Sequence, residues 1–307
     1  MTTSTTSTTA TSTPSTSTTT TSTEENGISA PTHHRDAPSD RPEIPLAGGD
    51  VTEGIVRVGD TVRRPLGPHS PLVHAVLAHL EAVGFDGAPR FLGLDGRGRE
   101  VLTFIEGEVA GRPHPAWLAD DSRLASVARL LRAYDDAVAG FAPPARLLEP
   151  VAPPELPGMP PEPDASPELI GHLDITPENV VFRGGEAVAF IDFDLVRPAT
   201  RVDEVVNLCL HWAPLSPERD RSGALRRVDA VVRTRLVADA YGLDDAARAR
   251  LIPTAVRRTE RSWHLMRHRA QTLGGGWARM WEDGVGEGIL RRLAWLEAEG
   301  ERISAAL

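Results

Sequence analysis

The alternation of apolar and polar residues predicts short strands in the first third of the chain. One strand covers residues 54–58, a glycine-containing reversal follows at 59–60, and a second strand starts at Thr61. Residues 90–94 and 99–104 then form a predicted hairpin, because two apolar runs flank a turn that contains two glycines. These segments give a sheet of about five strands.

Between these strands, the spacing of apolar residues changes to that of a helix. Ser70 is typical of a helix cap, Pro71 of a first helical position and Gly84 of a helix end. One apolar face is predicted to pack on the sheet, and it consists of Leu72, Val73, Val76, Leu77 and Leu80. The sheet and this helix make a small α+β lobe.

From Ala116 onward the pattern is mostly helical, as in the stretch SRLASVARLLRAYDDAVAGF. Residues 143–167 contain ten prolines and are predicted to be an irregular crossing. The predicted fold is therefore α+β and bilobal. A nucleotide-binding N-lobe covers residues 45–103, a hinge covers 104–108, and a helical C-lobe with the catalytic loop and acceptor pocket covers 109–307.

The first 44 residues are predicted to be a disordered tail. Twenty of the first 23 residues are Ser or Thr, so this segment has no apolar content to offset the entropy of ordering. It lacks the features of a secretory signal, and its first basic residue is Arg35, which argues against a transit peptide. No apolar run has the length of a membrane span, and the single Cys209 suits a reducing compartment, so we expect a cytoplasmic protein.

Charge composition excludes several classes of function. The formal net charge of −10 argues against a nucleic-acid partner. All 33 basic residues are Arg and none is Lys, which excludes Schiff-base lysines, pyridoxal phosphate anchors and the lysine-containing phosphate loop of nucleotide hydrolases. Any phosphate clamp in this chain is therefore expected to be an arginine, a backbone amide or a metal ion.

The segment GHLDITPENVVFRGGEAVAFIDFD, residues 171–194, concentrates polar groups among apolar ones. It predicts a hairpin that turns at Arg183–Glu186, with Asn179 at the start of one strand and Asp192 at the end of the other. Asp174 lies in the loop just before. Two carboxylates and an amide oxygen at one place are the hard oxygen ligands that Mg²⁺ takes beside phosphate.

These residues resemble a known pattern. The spacing His172-x-Asp174-x-x-x-x-Asn179, followed by Asp192, is similar to the catalytic loop and metal-binding Asp of protein kinases. With Asp203 eleven residues after Asp192, the chain more closely resembles the aminoglycoside phosphotransferase family and its choline-kinase-like relatives. The resemblance covers roughly residues 46–300.

The resemblance implies the roles of the site residues. Asp174 would be the base that positions the acceptor hydroxyl, and His172 belongs to the catalytic loop as a hydrogen-bonding support. Asn179 and Asp192 would hold Mg²⁺. The backbone of the segment from Thr103 through Phe104 and Ile105 to Gly107 would bind the adenine of ATP, with GTP as the alternative co-substrate.

Three further residues near this loop have local interpretations. Thr200 and Asp203 fit a capping box that opens a helix, and Asp203 is predicted to steady the catalytic loop from there. Asp194 is either a contact to a second metal or an ordinary surface or capping carboxylate.

The chain departs from the family pattern in the small lobe. The family has a Lys on the third strand, held by a Glu on the long helix, and residues 70–80 contain no acidic residue; His74 lies near the expected position. If Val62 faces the core, strand alternation directs Arg63 into the cleft to bind phosphates, with Arg64 as the fallback. Gly48 and Gly49 are a weak phosphate-loop signal.

Two classes of function remain. One is a Mg²⁺-dependent phosphotransferase for a hydroxyl of a small molecule, such as an antibiotic or amino alcohol; the other is a nucleotide-binding pseudokinase or regulatory module. A protein kinase fits less well, since no activation loop follows Asp192. Residues 219–269 contain thirteen Arg and six acidic residues, which favours a neutral or anionic acceptor over an aminoglycoside. The alternative is a cation site formed by Glu282, Asp283 and Glu287 beside Trp277 and Trp281. We expect a monomer or weak dimer without membrane or nucleic-acid partners.

Overall fold

The computed structural model describes residues 41–46, 54–162 and 166–307. Its N-terminal part is a five-stranded antiparallel sheet with the spatial order β1-β2-β3-β5-β4. The strands are β1 (Ile44–Pro45), β2 (Val56–Val58), β3 (Thr61–Arg64), β4 (Phe91–Leu94) and β5 (Glu100–Thr103). The sheet predicted from the alternating residues is confirmed, and its strands are shorter than the predicted segments.

Helix α1 (Ser70–Ala82) packs on this sheet and on the helical part. All five residues of its predicted apolar face are buried. Its start differs slightly from the prediction: His69 is the N-cap, while the Ser70 hydroxyl accepts a hydrogen bond from the backbone N–H of Gly67 at 3.0 Å. Gly84, with φ of +76°, follows the end of the helix as predicted.

The C-terminal part is helical, and one continuous hydrophobic core joins it to α1. Trp212 and Tyr134 are among its largest fully buried side chains. The remaining described helices are α2 (Asp121–Val138), α3 (Ala145–Leu148), α4 (Arg201–Trp212), α5 (Ala230–Tyr241), α6 (Asp245–Thr272), α7 (Gly275–Glu282) and α8 (Val285–Ser304). Within the described ranges, none of the eight helices is long and apolar enough to cross a membrane.

Two small antiparallel pairs position the loops of the predicted site. Strand β6 (Leu169–Gly171) pairs with β9 (Arg197–Ala199), and β7 (Val180–Arg183) pairs with β8 (Glu186–Phe190). The loop 172–179 connects β6 to β7, and the loop 191–196 connects β8 to β9. Strand β6 pairs with β9, and β7 pairs with β8, so the two loops begin and end next to each other.

The N-lobe starts earlier than the sequence predicts. Ile44 and Pro45 pair with β2, and the Glu43 carboxylate accepts a hydrogen bond from Arg99 at 2.8 Å. Residues 41–44 therefore belong to the N-lobe and not to the predicted tail. The predicted tail up to residue 40, and Gly48 and Gly49, lie outside the described residues.

Deleting residues 1–40 is expected to leave the melting temperature unchanged, because that segment carries almost no apolar groups that could stabilise a core. Differential scanning fluorimetry of the two chains measures this. Deletion of residues 1–46 is the matched control, since it also removes β1 and Glu43 and should lower the melting temperature. A loss of several degrees on removing residues 1–40 alone would contradict the prediction.

Candidate active site

Asp174 and Asn179 are joined directly in the loop between β6 and β7. The Asn179 amide nitrogen donates to the Asp174 carboxylate at 2.8 Å and to the Asp174 backbone carbonyl at 3.0 Å. Residues 177–179 form a 3₁₀ turn that opens β7, and Asn179 is 9% exposed at its end. The amide oxygen is the Asn179 atom that remains for a metal ion.

A shared contact with Ile191 joins this loop to the one that carries Asp192. The backbone N–H of Ile191 donates to the Asn179 carbonyl at 3.0 Å, and the Ile191 carbonyl lies 3.1 Å from His172 Nε2. Because both backbone groups of Ile191 are held, Asp192 is fixed relative to Asp174. The two ends of the hairpin meet, as the sequence predicts.

His172 is a fully buried support for the loop. Its Nδ1 accepts the backbone N–H of Asp174 at 3.3 Å, so Nε2 is the donor to Ile191. Burial lowers the pKa of His172 to about 4, which keeps the imidazole neutral at physiological pH. Phe193 packs edge-on against the ring at 4.5 Å. These contacts agree with the structural role that the sequence assigns to His172 within the loop.

Helix α4 holds the loop through residues that the sequence analysis did not identify. Glu204, which is fully buried, accepts the backbone N–H of Leu173 at 3.2 Å. Asn207 accepts the N–H of Ile175 at 2.7 Å, and the indole of Trp212 donates to the Ile175 carbonyl at 2.9 Å. A periodicity argument assigns Glu204 and Asn207 to the surface of the helix, so the sequence offered no signal for their role.

The predicted capping box of α4 is confirmed. The Thr200 hydroxyl accepts the backbone N–H of Asp203 at 3.1 Å, and the Asp203 carboxylate accepts the N–H of Thr200 at 3.0 Å. Asp203 also contacts Arg258 at 3.2 Å. Asp203 therefore steadies the helix, and its neighbour Glu204 makes the contact to the loop.

Asp192 and Asp194 meet a guanidinium from the N-lobe sheet. Arg64 Nη1 lies 3.3 Å from Asp192, and Nη2 is hydrogen-bonded to Asp194. His69, at the start of α1, lies 3.0 Å from Asp194. Asp192 adopts φ of +62°, a left-handed conformation that is uncommon for residues other than glycine. Asp194 is thus a partly buried ion-pair partner of Arg64 and His69.

The prediction that Arg63 faces the cleft is wrong. Arg63 Nη1 donates to the Thr61 hydroxyl at 2.5 Å, and its Nε lies 3.7 Å from Asp95. Arg64, the fallback, is the residue directed at Asp192 and Asp194. Successive side chains of a strand point to opposite faces, and Val62, which packs against the core, shares its face with Arg64.

The carboxylates of the site influence one another. Burial, and then the charge of Asp192, raise the pKa of Asp174 to about 7. Burial and the charge of Asp194 raise the pKa of Asp192 above its ordinary range, whereas His69 and Arg64 outweigh burial and lower the pKa of Asp194. For Arg64, Asp194 and Asp192 outweigh burial and raise the pKa. Negative charge is therefore crowded where the sequence predicts a cation.

The donor set fits magnesium bound together with a nucleotide. The described residues include no cluster of three or more His, Cys, Asp or Glu side chains arranged as a metal site. Mg²⁺, however, is commonly held by one or two protein oxygens, with substrate phosphates and water completing its shell. Asn179 and Asp192 would supply those oxygens, and the raised pKa of Asp192 marks a carboxylate that an added cation would stabilise.

The segment that connects the lobes is held at both ends. The backbone N–H groups of Thr103 and Phe104 donate to the carbonyls of Arg90 (3.0 Å) and Asp60 (2.8 Å). Glu108 pairs with Phe182 of β7 in an isolated bridge. The structure therefore places Thr103 at the end of β5, and Phe104 and Ile105 between the sheet and β7, where the sequence predicts the adenine-binding segment.

Several acidic residues outside the Asp174–Asp192 site are paired with arginines. Glu178 is hydrogen-bonded to Arg112 at 2.5 Å and lies 3.1 Å from His114. Asp220 pairs with Arg291 at 2.8 Å. With the Asp203–Arg258 pair, three acidic residues of the C-lobe are thus paired with arginines.

Three arginines of the C-lobe also lie near one another, namely Arg197, Arg258 and Arg269. Burial, and then Arg258, lower the pKa of Arg197 to about 10, and Arg269 contributes in the same direction. The Arg269 guanidinium lies 4.6 Å from the centre of the Trp277 ring, so the protein itself occupies this aromatic face with a cation.

Comparisons with known proteins agree with the fold and the loop motif. The model of the phosphotransferase enzyme family, APH, matches residues 151–241. The trifolitoxin immunity protein of Rhizobium leguminosarum bv. trifolii is 34% identical over 214 residues, which cover 66% of this chain and 74% of that protein.

Solved structures of similar fold share little sequence with the chain. Aminoglycoside 2'-phosphotransferase-IIIa, in a GDP complex, has a TM-score of 0.52 at 16% identity and covers 86% of this chain and 93% of that one. A choline/ethanolamine kinase family protein from Mesorhizobium loti has a TM-score of 0.52 at 17% identity, with 88% and 93% covered. Ethanolamine kinase from Plasmodium vivax reaches 0.53 at 13% identity, with 75% and 76% covered. All three share a protein-kinase-like fold with this chain.

Proposed function

Because the chain belongs to the phosphotransferase enzyme family, we propose that it transfers the γ-phosphoryl group of ATP or GTP to a hydroxyl group of a small molecule. The observation that carries this proposal is the joined pair of loops: Asp174 and Asn179 are 2.8 Å apart, and Ile191 fixes Asp192 beside them. A base and two oxygen ligands within one rigid unit are what phosphoryl transfer requires.

Each residue has one proposed task. Asp174 orients the acceptor hydroxyl and takes up its proton, for which a carboxylate with a pKa of about 7 is suited near neutral pH. Asn179 and Asp192 would hold Mg²⁺, which when bound neutralises charge on the phosphates. Arg64 is the cation that binds the phosphates, because the chain has no lysine for this task. We propose that residues 103–107 bind the nucleotide base through their backbone.

We propose a neutral or anionic acceptor. Glu178 and Asp203 are already paired with cations, and Arg269 covers Trp277, so these groups offer little attraction to a polyamine. The similarity to a trifolitoxin immunity protein supports a hydroxyl-bearing toxic compound as the acceptor, with phosphorylation as the protective step. An amino alcohol is the other class to test, given the choline and ethanolamine kinase folds.

The acceptor is tested with a panel assayed for Mg²⁺-dependent ADP or GDP release. The panel contains trifolitoxin, macrolides, aminoglycosides, choline, amino alcohols and sugars. We expect release above background with a compound that is not a polycation, and mass spectrometry should show that compound 80 Da heavier. Release with aminoglycosides alone would contradict the proposed acceptor class.

One observation favours a second function. Arg64 bridges to Asp192 and Asp194, the same side of the site where Mg²⁺ would bind, which is compatible with a module that binds nucleotide without transferring phosphate. A nucleotide that raises the melting temperature without any transfer or slow hydrolysis would favour this function. Transfer to any compound of the panel excludes it.

A further inference from the structure

Arg64 is held by a carboxylate of the neighbouring strand. Arg64 and Glu100 are directly opposite each other in the β3–β5 pair, and Arg64 Nε lies 3.2 Å from Glu100 Oε2. Both residues are buried, with exposures of 5% and 2%. A buried carboxylate next to a buried guanidinium fixes both groups, because either one alone would be costly to bury.

The three guanidinium nitrogens of Arg64 have different partners. Nε lies 3.2 Å from the Glu100 carboxylate without a hydrogen bond between them, while Nη1 and Nη2 are hydrogen-bonded to Asp192 and Asp194. The inner side of the guanidinium is therefore paired with a charge within the sheet, and the two terminal nitrogens reach Asp192 and Asp194. A lysine has a single ammonium and cannot make both kinds of contact from one fixed position.

From this arrangement, and building on the proposed function, we propose that Glu100 is the positioning residue for Arg64. The charge of Glu100 holds the guanidinium on its Nε side, so that the two terminal nitrogens are aimed at the phosphates of a bound nucleotide. In the family pattern given above, the corresponding cation is held by a glutamate of the long helix. Here the glutamate comes from strand β5, so the direction of Arg64 is set inside the sheet.

Helix α1 reaches the pair only through a histidine. His74 Nε2 lies 2.6 Å from Glu100 Oε1, and the His74 ring stacks on Phe91 at 3.6 Å. Glu100 thus uses one oxygen for Arg64 and the other for His74. This makes the orientation of Arg64 depend more strongly on Glu100 than on His74.

The test measures dissociation constants for ADP by calorimetry, with and without Mg²⁺, in the full chain. The variants are Glu100→Gln, Glu100→Asp, Arg64→Ala, Arg64→Lys and the double variant Arg64→Ala/Glu100→Gln. Glu186→Gln is the matched control, because Glu186 is an exposed strand residue whose only described ion pair is with Arg129 on the surface. Melting temperatures identify any variant that does not fold.

We expect Glu100→Gln to raise the Kd for ADP about tenfold, the effect of misaligning one charge-assisted contact. Glu100→Asp, which keeps the charge, should recover part of this loss. In the Arg64→Ala background the same Glu100→Gln change should alter the Kd by less than about twofold, because Glu100 acts through Arg64. Arg64→Lys should bind ADP nearly as weakly as Arg64→Ala.

Three results would overturn the inference. They are an unchanged Kd in Glu100→Gln, an equal loss from Glu100→Gln with and without Arg64, and wild-type binding by Arg64→Lys. If Glu100→Gln does not fold, Glu100→Asp and Arg64→Lys still decide the question. The readout is nucleotide binding, so a wild-type chain that binds ADP but transfers no phosphate would contradict the proposed function and leave the positioning role intact.

Discussion

Replacing Asp174 with alanine is expected to lower kcat by about 10³-fold while changing the Kd for the magnesium nucleotide by less than about threefold. The loss follows from the proposed role, because Asp174 acts on the acceptor hydroxyl and no other described carboxylate is bonded to Asn179 in this loop. Steady-state kinetics with an acceptor from the panel, together with nucleotide calorimetry, measure the two effects separately.

Nucleotide binding should persist because the neighbouring groups keep their anchors. Asn179 loses the Asp174 carboxylate but retains the Asp174 backbone carbonyl at 3.0 Å. Asp192 is held from the other side by Arg64, and the Ile191 backbone still joins the two loops. The alanine variant thus removes the base without removing the proposed metal ligands.

Two further variants sharpen this test. Asp174→Asn keeps the shape of the side chain and should be as inactive as Asp174→Ala, since an amide cannot take up a proton. Asp86→Asn is the control, because Asp86 is 98% exposed and pairs only with Arg90 in the described structure. Turnover close to wild type in Asp174→Ala would remove Asp174 from the proposed mechanism.

The hairpin and its loops were predictable because their signals are local. The Gly184–Gly185 turn, the alternating apolar residues and the spacing from Asp174 to Asn179 all lie within two dozen residues. The structure brings Asn179 and Asp192 together because a hairpin necessarily joins its two ends. The capping box at Thr200 was predictable for the same reason.

The direction of Arg63 and Arg64 was not predictable from local signals. Val62 faces the core as assumed, but the sequence does not show that this same face of the strand also carries the residue that reaches Asp192, which is Arg64 and not Arg63. The partnership of Arg64 with Glu100 also depends on the register of β3 against β5, across 35 residues of intervening chain. Pairing between distant strands is set by tertiary packing.

The supports on α4 were missed for a related reason. Glu204 and Asn207 are polar residues of a helix that a periodicity argument assigns to its surface. They are buried because they accept hydrogen bonds from the backbone N–H groups of Leu173 and Ile175. Within the described part of the chain, this loop is not paired with a β-strand, so no backbone carbonyl takes their place. These hydrogen bonds depend on how α4 packs against the loop, which the sequence of the helix alone does not show.

Replacing Asp192 with asparagine is expected to remove the dependence of nucleotide binding on Mg²⁺ and to lower kcat/KM by roughly 10²-fold or more, since a lost metal ligand is worth several kcal/mol. Asparagine is the right substitution because it tolerates the left-handed conformation of Asp192, with φ of +62°, better than alanine does. Calorimetry with ATP in Mg²⁺ and in EDTA should then give similar values of Kd.

The same variant should melt at the same temperature as the wild-type chain or higher when no nucleotide is present. Folding raises the pKa of Asp192 through burial and Asp194, so its ionised form costs folding free energy at neutral pH, and a neutral amide removes that cost. Asp203→Asn is the control of opposite sign: Arg258 and Thr200 outweigh burial and lower the pKa of Asp203, so its ionised form stabilises the fold. That variant should melt lower, and a lower melting temperature for Asp192→Asn, or retained Mg²⁺ dependence, would contradict the proposed role of Asp192.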